Sequence, residues 1–345
     1  MKKFVKRIIL IVLITTLVVP AYTKDNVVGS SAGEFLKVGA AGSQFLKIGV
    51  GARANAMAGA YTAVANDLTS LYWNPAGLAD VKGLSAAFHY TQWFAGFTHN
   101  FAAISLPLGE NFVIAAQLIS FDSDRIPITT LAQPAGTGAY YKVNDIAVGA
   151  TISGYLTDQF SFGITAKLVN NSFSSLSSNG IAFDVGTMYD TEISGIKLGF
   201  SIFNLGTEMK YEGQDLKSTK KYIEELKAAP WDISFLANSY QMPLIFRAGI
   251  TSNIIETDDH LWKISGDFIT LSDIPEQFAI GTEYTWHNIL SIRAGYVFGH
   301  DQLGISGGLG FSYFTGGVKG TIDYSITPTA DIGLINRLSI SVGLD

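Results

Sequence analysis

The sequence contains no cysteine among its 345 residues, which excludes disulfides, thiolate metal sites and lipid attachment through a cysteine. Charged residues are scarce, at 15% of the chain, where soluble proteins carry about a quarter. There is no basic block, and the net charge is −6, so nucleic acid is not expected as a partner. Beyond residue 21 no apolar run reaches about 18 residues, so a membrane-spanning helix is not expected.

Aromatic residues and glycine are abundant instead. Aromatics make up 12% of the chain, glycine occurs 36 times, and the mean hydropathy is positive, at +0.26. An apolar surplus without spanning helices is typical of a transmembrane β-barrel, because every second strand residue faces lipid. A single closed barrel accommodates this chain length, which could otherwise indicate two domains.

The first residues predict export. Four basic residues precede the apolar run Ile8–Val19, and Pro20 and Ala21 follow. This pattern is typical of a secretory signal peptide, 1–21, cleaved after Ala21; an uncleaved anchor is the alternative. We therefore expect a signal peptide at 1–21, a lead-in and hatch at 22–83 and a barrel at 84–345. An exported, cysteine-free chain of this composition fits the bacterial outer membrane.

From Leu84 onward apolar and polar residues alternate with a period of two, as in Phe160, Phe162 and Ile164 against Ser161 and Gly163. Alternation over about ten residues, repeated many times, predicts bilayer-crossing strands rather than the shorter strands of a soluble sandwich. The fold class is therefore all-β, a 14-stranded antiparallel transmembrane β-barrel with an N-terminal, partly helical hatch in the lumen. The predicted strands are 84–94, 98–107, 111–121, 142–155, 159–172, 179–190, 195–205, 243–254, 261–271, 277–286, 289–298, 304–314, 317–326 and 335–344.

The connections support an even strand count. A further candidate strand at 232–240 is rejected, because it would break the alternation of short periplasmic turns with longer outer loops. The two longest outer connections are 122–141 and 206–242. The second contains a predicted helix, 218–228, with Tyr222, Ile223 and Leu226 on one side. This helix is either a solvated surface element or a docking surface for an exported partner.

Strand parity places nine charged residues on the inner face. Lipid exposure at mid-bilayer would cost roughly 2–4 kcal/mol for each Arg or Lys, so the polar face must point inward. Both signs are present, which favours a salt-bridged interior over a solute path, although both interpretations remain open. The nine residues are Lys167, Asp184, Lys197, Arg247, Asp267, Glu283, Arg293, Lys319 and Asp323.

Motifs of enzymes occur only in unsuitable contexts. G-x-S-x-G matches at 304–308 lie within a predicted strand, and at 29–33 within the lead-in, whereas a nucleophile elbow needs a strand, a sharp turn and a helix. The G-x-G-x-x-A match at 49–54 lacks a parallel βαβ unit. The five histidines share no metal-ligand spacing. We expect no enzyme activity, no cofactor and no metal.

The segment 45–83 is small-residue-rich and precedes the barrel. Its start repeats an earlier stretch, since Phe35–Gly39 (FLKVG) recurs as Phe45–Gly49 (FLKIG). Residues 52–65 predict a tightly packed helix, and Asn74 before Pro75 predicts a helix N-cap with proline in the first turn. The predicted hatch residues are Gly49, Gly51, Arg53, Gly59, Trp73, Asn74, Pro75, Ala76 and Gly77.

The stretches 45–49, 51–53, 57–65 and 73–78, with LSIRAGY at 290–296 in the barrel, together resemble the PorV/PorQ family of outer-membrane proteins. That family is related to the FadL long-chain fatty-acid transporters, which share the Asn-Pro-Ala segment. The resemblance implies a fourteen-stranded barrel with a lumenal hatch, serving type IX protein secretion as a shuttle or anchor. The chain is shorter than expected for PorV itself, and it lacks a C-terminal aromatic residue.

Two functions follow as expectations. The first is docking of secretion-system proteins or exported substrates at the cell surface, by a barrel embedded in outer-membrane lipid. The alternative is a FadL-like transporter of hydrophobic small molecules, favoured by the hatch beside an aromatic-rich first hairpin containing Phe88, Trp93, Phe94 and Phe97. A housekeeping relative unconnected to secretion is a third possibility.

Overall fold

The computed structural model describes residues 41–220 and 231–344. Fourteen long antiparallel strands form the barrel: β1 Leu84–Gln92, β2 Thr98–Leu108, β3 Phe112–Asp122, β4 Val143–Thr157, β5 Phe160–Phe173, β6 Leu176–Asp190, β7 Lys197–Gly206, β8 Ile245–Glu256, β9 His260–Leu271, β10 Gln277–Trp286, β11 Leu290–Phe298, β12 Ile305–Thr315, β13 Val318–Pro328 and β14 Leu334–Leu344.

The sheet closes on itself. Each strand pairs with its neighbours in the chain, and β1 pairs with β14 from Leu84 opposite Leu344 to Gln92 opposite Asn336. Closure removes the unpaired strand edges that lipid could not satisfy. The two longest connections, 123–142 and 207–244, lie at the same end of the barrel, here called the loop end. The opposite end, with connections such as 158–159 and 316–317, is called the turn end.

The predicted fold class is confirmed. All fourteen strands occur where the sequence placed them, and the largest difference in a boundary is at β6, which begins at Leu176 rather than at 179. The alternation is visible in burial: Leu168 is 63% exposed, whereas its neighbour Lys167 is 5% exposed. An apolar exterior and a polar interior are the reverse of a soluble barrel. Separately, no described helix is long and apolar enough to cross a membrane.

The loop after β7 differs from the prediction. Residues Lys217–Lys220 form a strand that pairs with Trp231–Ser234 as a two-stranded ribbon outside the barrel. The predicted helix 218–228 is therefore wrong at its beginning, where Thr219 is β-branched and Ile233 and Trp231, which favour strands, occupy the facing segment. Tyr222, Ile223 and Leu226 lie outside the described residues. The rejected strand at 232–240 contributes to this ribbon and adds no strand to the barrel.

The described hatch, residues 41–83, consists of short helical pieces joined by turns. They are the 3₁₀ helices Gln44–Lys47 and Pro75–Asp80 and the α-helices Ala52–Ala56 and Ser70–Trp73. Buried apolar side chains of the hatch and of the barrel wall form one cluster, which includes Phe45, Tyr61, Trp73 and Phe101. Most of the large, fully buried side chains are therefore those of the hatch and its contacts.

The predicted helix over 52–65 ends at Ala56. Ala58 and Gly59 adopt positive φ angles of 53° and 81°, and the Gly59 N–H donates to the Ala54 carbonyl at 3.1 Å. A left-handed turn of this kind ends a helix. Beyond this turn the Ala60 amide donates to the Met57 carbonyl, and the Tyr61 amide is shared between the Gly59 carbonyl and a wall carboxylate. The Thr62 amide donates to the same carboxylate, so the helix does not continue. Tertiary contact therefore overrides the helical propensity of the alanine-rich segment.

Candidate functional site: the hatch and the lumen

The inward face of the wall changes character with depth. Large apolar side chains concentrate in the half nearer the loop end, whereas the half nearer the turn end is mostly hydroxylated or charged, with Val113 and Met188 as exceptions. The apolar set comprises Phe101, Ile119, Val169, Phe203, Ile245, Ile269, Leu271, Val297 and Ile335. The polar set comprises Ser85, Ser105, Ser153, Ser161, Glu283, Ser291, Arg293 and Asp323. Buried polar side chains such as His99, Arg247 and Arg337 also lie in the loop-end half, so the two halves differ in their content of large apolar side chains and not in the presence of polar ones.

A row of wall glycines allows the hatch backbone to lie directly against the strands. A Cβ built on any of them would come within 3.0 Å of a hatch atom. Several stand opposite one another in the sheet, such as Gly199 and Gly249, or Gly281 and Gly295. The set, called the glycine girdle below, is Gly163, Gly186, Gly199, Gly249, Gly281, Gly295 and Gly308. Missing side chains at these positions make room for the hatch main chain.

Asn74 joins two parts of the hatch to the wall. Its Oδ1 accepts from the Ala76 N–H at 3.2 Å and caps the 3₁₀ helix that begins with Pro75, as the sequence predicts. Its Nδ2 donates to the Thr62 carbonyl at 2.9 Å and to the Thr187 carbonyl on β6 at 3.1 Å. Both side-chain hydrogens of this fully buried amide are thereby used, so its position is strongly specified.

Arg53 connects the hatch to an ion-pair chain on the wall. Its guanidinium donates to both carboxylate oxygens of Glu283, at 2.7 and 2.8 Å. Glu283 also accepts from Arg293 at 2.6 Å, and Arg293 donates to Asp323 at 2.6 Å. Bidentate arginine–carboxylate pairs fix geometry as well as adding energy. The chain of charges holds one side of the hatch in register with β10, β11 and β13.

Within the hatch, Arg53 also contacts Asp67 at 3.0 Å. Burial alone would raise the pKa of Asp67, but the charge of Arg53 and hydrogen bonds from Thr69 and Tyr61 outweigh burial, so this pKa lies below its ordinary value. Asp67 therefore stays ionised and keeps Arg53 aligned toward Glu283.

On β8 and β9, beside the strands of the Arg53 chain, two wall charges contact further hatch groups. Asp267 accepts the backbone N–H groups of Tyr61 and Thr62 at 3.1 and 2.9 Å. Arg247 lies over the rings of Tyr72 and Trp73, at 5.2 and 4.9 Å from their centroids. A guanidinium stacked on several rings in a desolvated site gains cation–π energy. These noncovalent contacts hold the hatch against β8 and β9.

The other predicted hatch residues serve close packing inside the hatch. Trp73 donates from Nε1 to the Val50 carbonyl at 2.8 Å. A Cβ on Gly49 or Gly59 would come within about 3.2 Å of the Trp73 ring. The close neighbour of Gly59 is thus another hatch residue rather than the wall. Gly51 faces Thr69 and Gly77 faces Ala65 in the same way, and Ala76 is fully buried.

The structure places the nine predicted lumenal charges on the inner face, where their contacts differ. Glu283, Arg293 and Asp323 belong to the Arg53 chain, and Lys167 pairs with Asp184 at 2.9 Å. Lys197 reaches Asp80 of the hatch at 3.7 Å. Arg247 and Asp267 contact the hatch, as described above, and Lys319 borders an open cavity. No group of at least three potential metal ligands clusters in the described part of the chain.

Sequence reasoning missed several interior residues. Lys47 of the hatch pairs with Asp273 at 2.9 Å, and Asp273 lies in the connection between β9 and β10. Lys263 and the buried Arg337 also face the lumen. Strand parity could have found the last two, because each alternates with outward apolar neighbours. No pattern distinguishes the girdle glycines from the other glycines of the chain.

The first hairpin does not line a path beside the hatch. Phe88 points outward and is 51% exposed, while Phe97 stacks on Phe121 at 4.9 Å. The expectation that Phe88 faces the hatch is wrong, because its position in β1 has the parity of the lipid face. Where the hatch meets the wall beside Leu46, the remaining cavity has a volume of about 10 Å³, room for one water molecule at most. This conformation is closed there.

A larger cavity opens beneath the hatch at the turn end. Its volume is about 750 Å³, and hatch residues such as Arg53 and Asp67 form part of its lining together with wall residues such as Lys263 and Ser291. The size is that of a small-molecule site. Its lining combines charged and hydroxylated side chains with apolar ones such as Leu68, Leu261 and Phe314.

No known protein-family profile and no curated protein sequence matches the chain. Among solved structures, the CymD monoaromatic hydrocarbon channel is similar with a TM-score of 0.57 and 12% identity, over 85% of this chain and 97% of that one. The Pseudomonas putida toluene transporter TodX gives 0.51 and 12%, over 79% and 91%. A Pseudomonas aeruginosa FadL homologue gives 0.48 and 11%, over 86% and 99%.

At these identities the likeness concerns the fold. The chain has the closed fourteen-stranded architecture of FadL-type outer-membrane barrels. The FadL-related part of the sequence resemblance is thereby supported, whereas membership of the PorV/PorQ family stays a prediction.

The girdle generates a direct test. We expect Gly186→Ala to destabilise the protein by about 1–3 kcal/mol, because the new Cβ would lie 2.7 Å from Pro75 Cδ and closer still to Asn74. Unfolding of the detergent-solubilised barrel in urea measures the effect. Gly320→Ala is the matched control, since nothing lies within 4 Å of that position. Equal stability of both variants would contradict the close approach.

Proposed function

We propose that the protein is a bacterial outer-membrane channel for hydrophobic small molecules, held closed by its hatch in the described conformation. The observation that carries this proposal is the concentration of large apolar side chains in the loop-end half of the lumen. A pore for hydrophilic solutes needs a wet, polar lining along its length. Here a molecule arriving at the loop end meets Phe45, Leu46, Met209 and Met242, all buried in one apolar cluster.

The fold likeness supports the same class of cargo. The similar structures named above are described as a monoaromatic hydrocarbon channel and a toluene transporter. Apolar molecules gain free energy in proportion to the apolar area that they bury, so an apolar entrance would concentrate them from dilute solution. A role in passage rather than catalysis is also consistent with these neighbours.

Passage requires the hatch to move. The hatch is fixed by hydrogen bonds and ion pairs that can reopen, including the two amides on Asp267 and the Arg53–Glu283 pair. Cargo that displaces apolar hatch residues from the wall would shift the population toward an open state, provided that it binds the open state more tightly.

Movement of the hatch can be tested with an engineered disulfide, because the sequence contains no other cysteine that could react. Ser43 of the hatch donates from Oγ to Asn171 Oδ1 on β5 at 2.6 Å, and both residues are buried. Ser43→Cys with Asn171→Cys therefore places two thiols side by side without filling a girdle position, and a disulfide between them should lock the hatch to β5 when oxidised. In liposomes containing the double variant, we expect uptake of a hydrophobic fluorescent probe under reducing conditions and at least a tenfold loss on oxidation.

The single variant Ser43→Cys, treated identically, should keep its uptake, which controls for damage by the oxidant. Wild-type uptake no faster than that of protein-free liposomes would refute the channel. Uptake that persists in the fully oxidised double variant would refute gating by this hatch.

A second candidate is the docking of type IX secretion partners, favoured by the hatch resemblance to PorV/PorQ and by exposed apolar residues near the ribbon of the longest loop. Trp231 is 70% exposed and Leu236 is 89% exposed. Such side chains on a loop are typical of a partner surface.

For this candidate we expect deletion of residues 212–238 to abolish co-purification of secretion components from native outer membranes. The deletion spares the bridge between Met209 and Tyr240, so the barrel should remain heat-resistant on gels. Unchanged co-purification would reject the docking role.

A further inference from the structure

Arg337 on β14 is a buried guanidinium without an acidic partner. Its side chain is 2% exposed, and its Nη1 donates to Thr327 Oγ1 at 2.8 Å, while its Nε has no hydrogen-bond partner in the described structure. Arg53 and Arg293, by contrast, both pair with carboxylates. Buried charges in proteins are normally paired, because the loss of hydration is otherwise uncompensated.

The neighbours of Arg337 across the sheet supply no negative charge either. Arg337 stands opposite Ser325 on β13 and opposite Thr91 on β1, and Thr91 stands opposite His99 on β2. Directly opposed residues have Cβ atoms about 4.5–5.5 Å apart, so the four side chains form a continuous inward row. Ser325 Oγ and His99 Nε2 also lack partners in the described structure, although both residues are buried.

One step toward the turn end, His89 connects this row to the open cavity. His89 is 6% exposed, neither ring nitrogen has a partner among the described residues, and the side chain borders the 750 Å³ cavity. Ser339, the next inward residue of β14 after Arg337, borders the same cavity and stands opposite His89. The unpartnered groups therefore form a series that begins with His89 at the cavity and continues toward the loop end as far as Arg337.

The charge balance of the cavity favours anions. Its carboxylates are engaged: Glu283 and Asp323 pair with arginines, Asp67 with Arg53, and Asp80 with Lys197. Lysines 82, 263 and 319 also border it and form no ion pair with described residues. An anion entering from the turn end therefore meets uncompensated positive charge, although the whole chain carries a net charge of −6.

We propose that Arg337, His99, His89 and Ser325 form a binding site for a small monovalent anion that enters through the turn-end cavity. The single uncompensated guanidinium calls for a monovalent ion. The burial of His99 and Arg337, at 1% and 2% exposure, calls for an ion of about halide size. The imidazole N–H groups, the hydroxyl and the free Nε–H are the donors that such an ion requires. The site lies in the loop-end half of the lumen, where Arg337 follows Ile335 on β14 and His99 precedes Phe101 on β2, and its chemistry does not depend on the cargo.

The test is the thermal midpoint of the intact, detergent-solubilised protein, with sodium chloride exchanged for sodium gluconate at constant ionic strength. Because a ligand of the folded state stabilises it by mass action, the wild-type midpoint should rise saturably with chloride, by about 2–4 °C. Arg337→Gln removes the charge, so its midpoint should not respond to chloride. Arg125→Gln is the matched control on an exposed residue, and it should keep the full response.

The proposal would be overturned if the wild-type midpoint did not change with chloride, or if Arg337→Gln kept the wild-type response. The row of polar side chains would then bind water and no anion. If Arg337→Gln does not fold, Ser325→Ala serves as the second variant, with an expected severalfold rise in the chloride concentration of half-saturation. Crystals grown in sodium bromide give an independent result. An anomalous peak beside Arg337 Nε supports the site, whereas bromide found only on the outer surface contradicts it.

Discussion

The close approach of the hatch main chain to the barrel wall is the constraint on which the interior depends. A main chain carries polar N–H and C=O groups that must find partners when buried. The girdle glycines remove the side chains that would keep the hatch at a distance. Asp267 then receives two hatch amides, and the Thr187 carbonyl receives Asn74. The wall therefore supplies hydrogen-bond acceptors that lie close to the main chain of the hatch.

Charge in the lumen follows from the same constraint. Polar groups of the wall must point inward, because the outer face meets lipid. Inside a closed barrel those charges are stabilised by pairing, as in the Lys167–Asp184 pair and the chain from Arg53 to Asp323. Arg247 and Arg337 have no carboxylate partner among the described residues. Arg247 stacks on the rings of Tyr72, Trp73 and Phe203, whereas Arg337 lies beside unpartnered His99 and Ser325, which is why we place the anion site at Arg337.

The division of the lumen by depth connects structure with function. Apolar wall residues surround the hatch toward the loop end, while hydroxyls and charges line the turn-end cavity. The two halves suit different ligands, and the hatch separates them. Movement of the hatch, which only hydrogen bonds, ion pairs and packing hold against the wall, is thus the step that would connect the loop end of the lumen with the turn-end cavity.

Much of this architecture is predictable from the sequence, because a period of two over long segments has few other interpretations. Fourteen strands and the Asn74 cap follow from such local rules. The failures have different causes. The helix expected over 52–65 ends in a left-handed turn at Ala58 and Gly59, and the wall carboxylate Asp267 receives the Thr62 amide beyond that turn. Phe88 faces lipid because strand parity outweighs its proximity to the hatch in sequence. The girdle could not be predicted, since only the folded hatch distinguishes those glycines.

Hatch and barrel form one body joined by hydrogen bonds. Hydrogen exchange of the Thr62 amide in the intact barrel tests this most directly, because this amide donates to Asp267 on the wall, whereas the Tyr61 amide also donates to the Gly59 carbonyl within the hatch. We expect exchange as slow as that of barrel-strand amides such as Ile250. Exchange as fast as in the exposed connection 129–135 would contradict it, since the hatch would then rest in the lumen without being bonded to the wall.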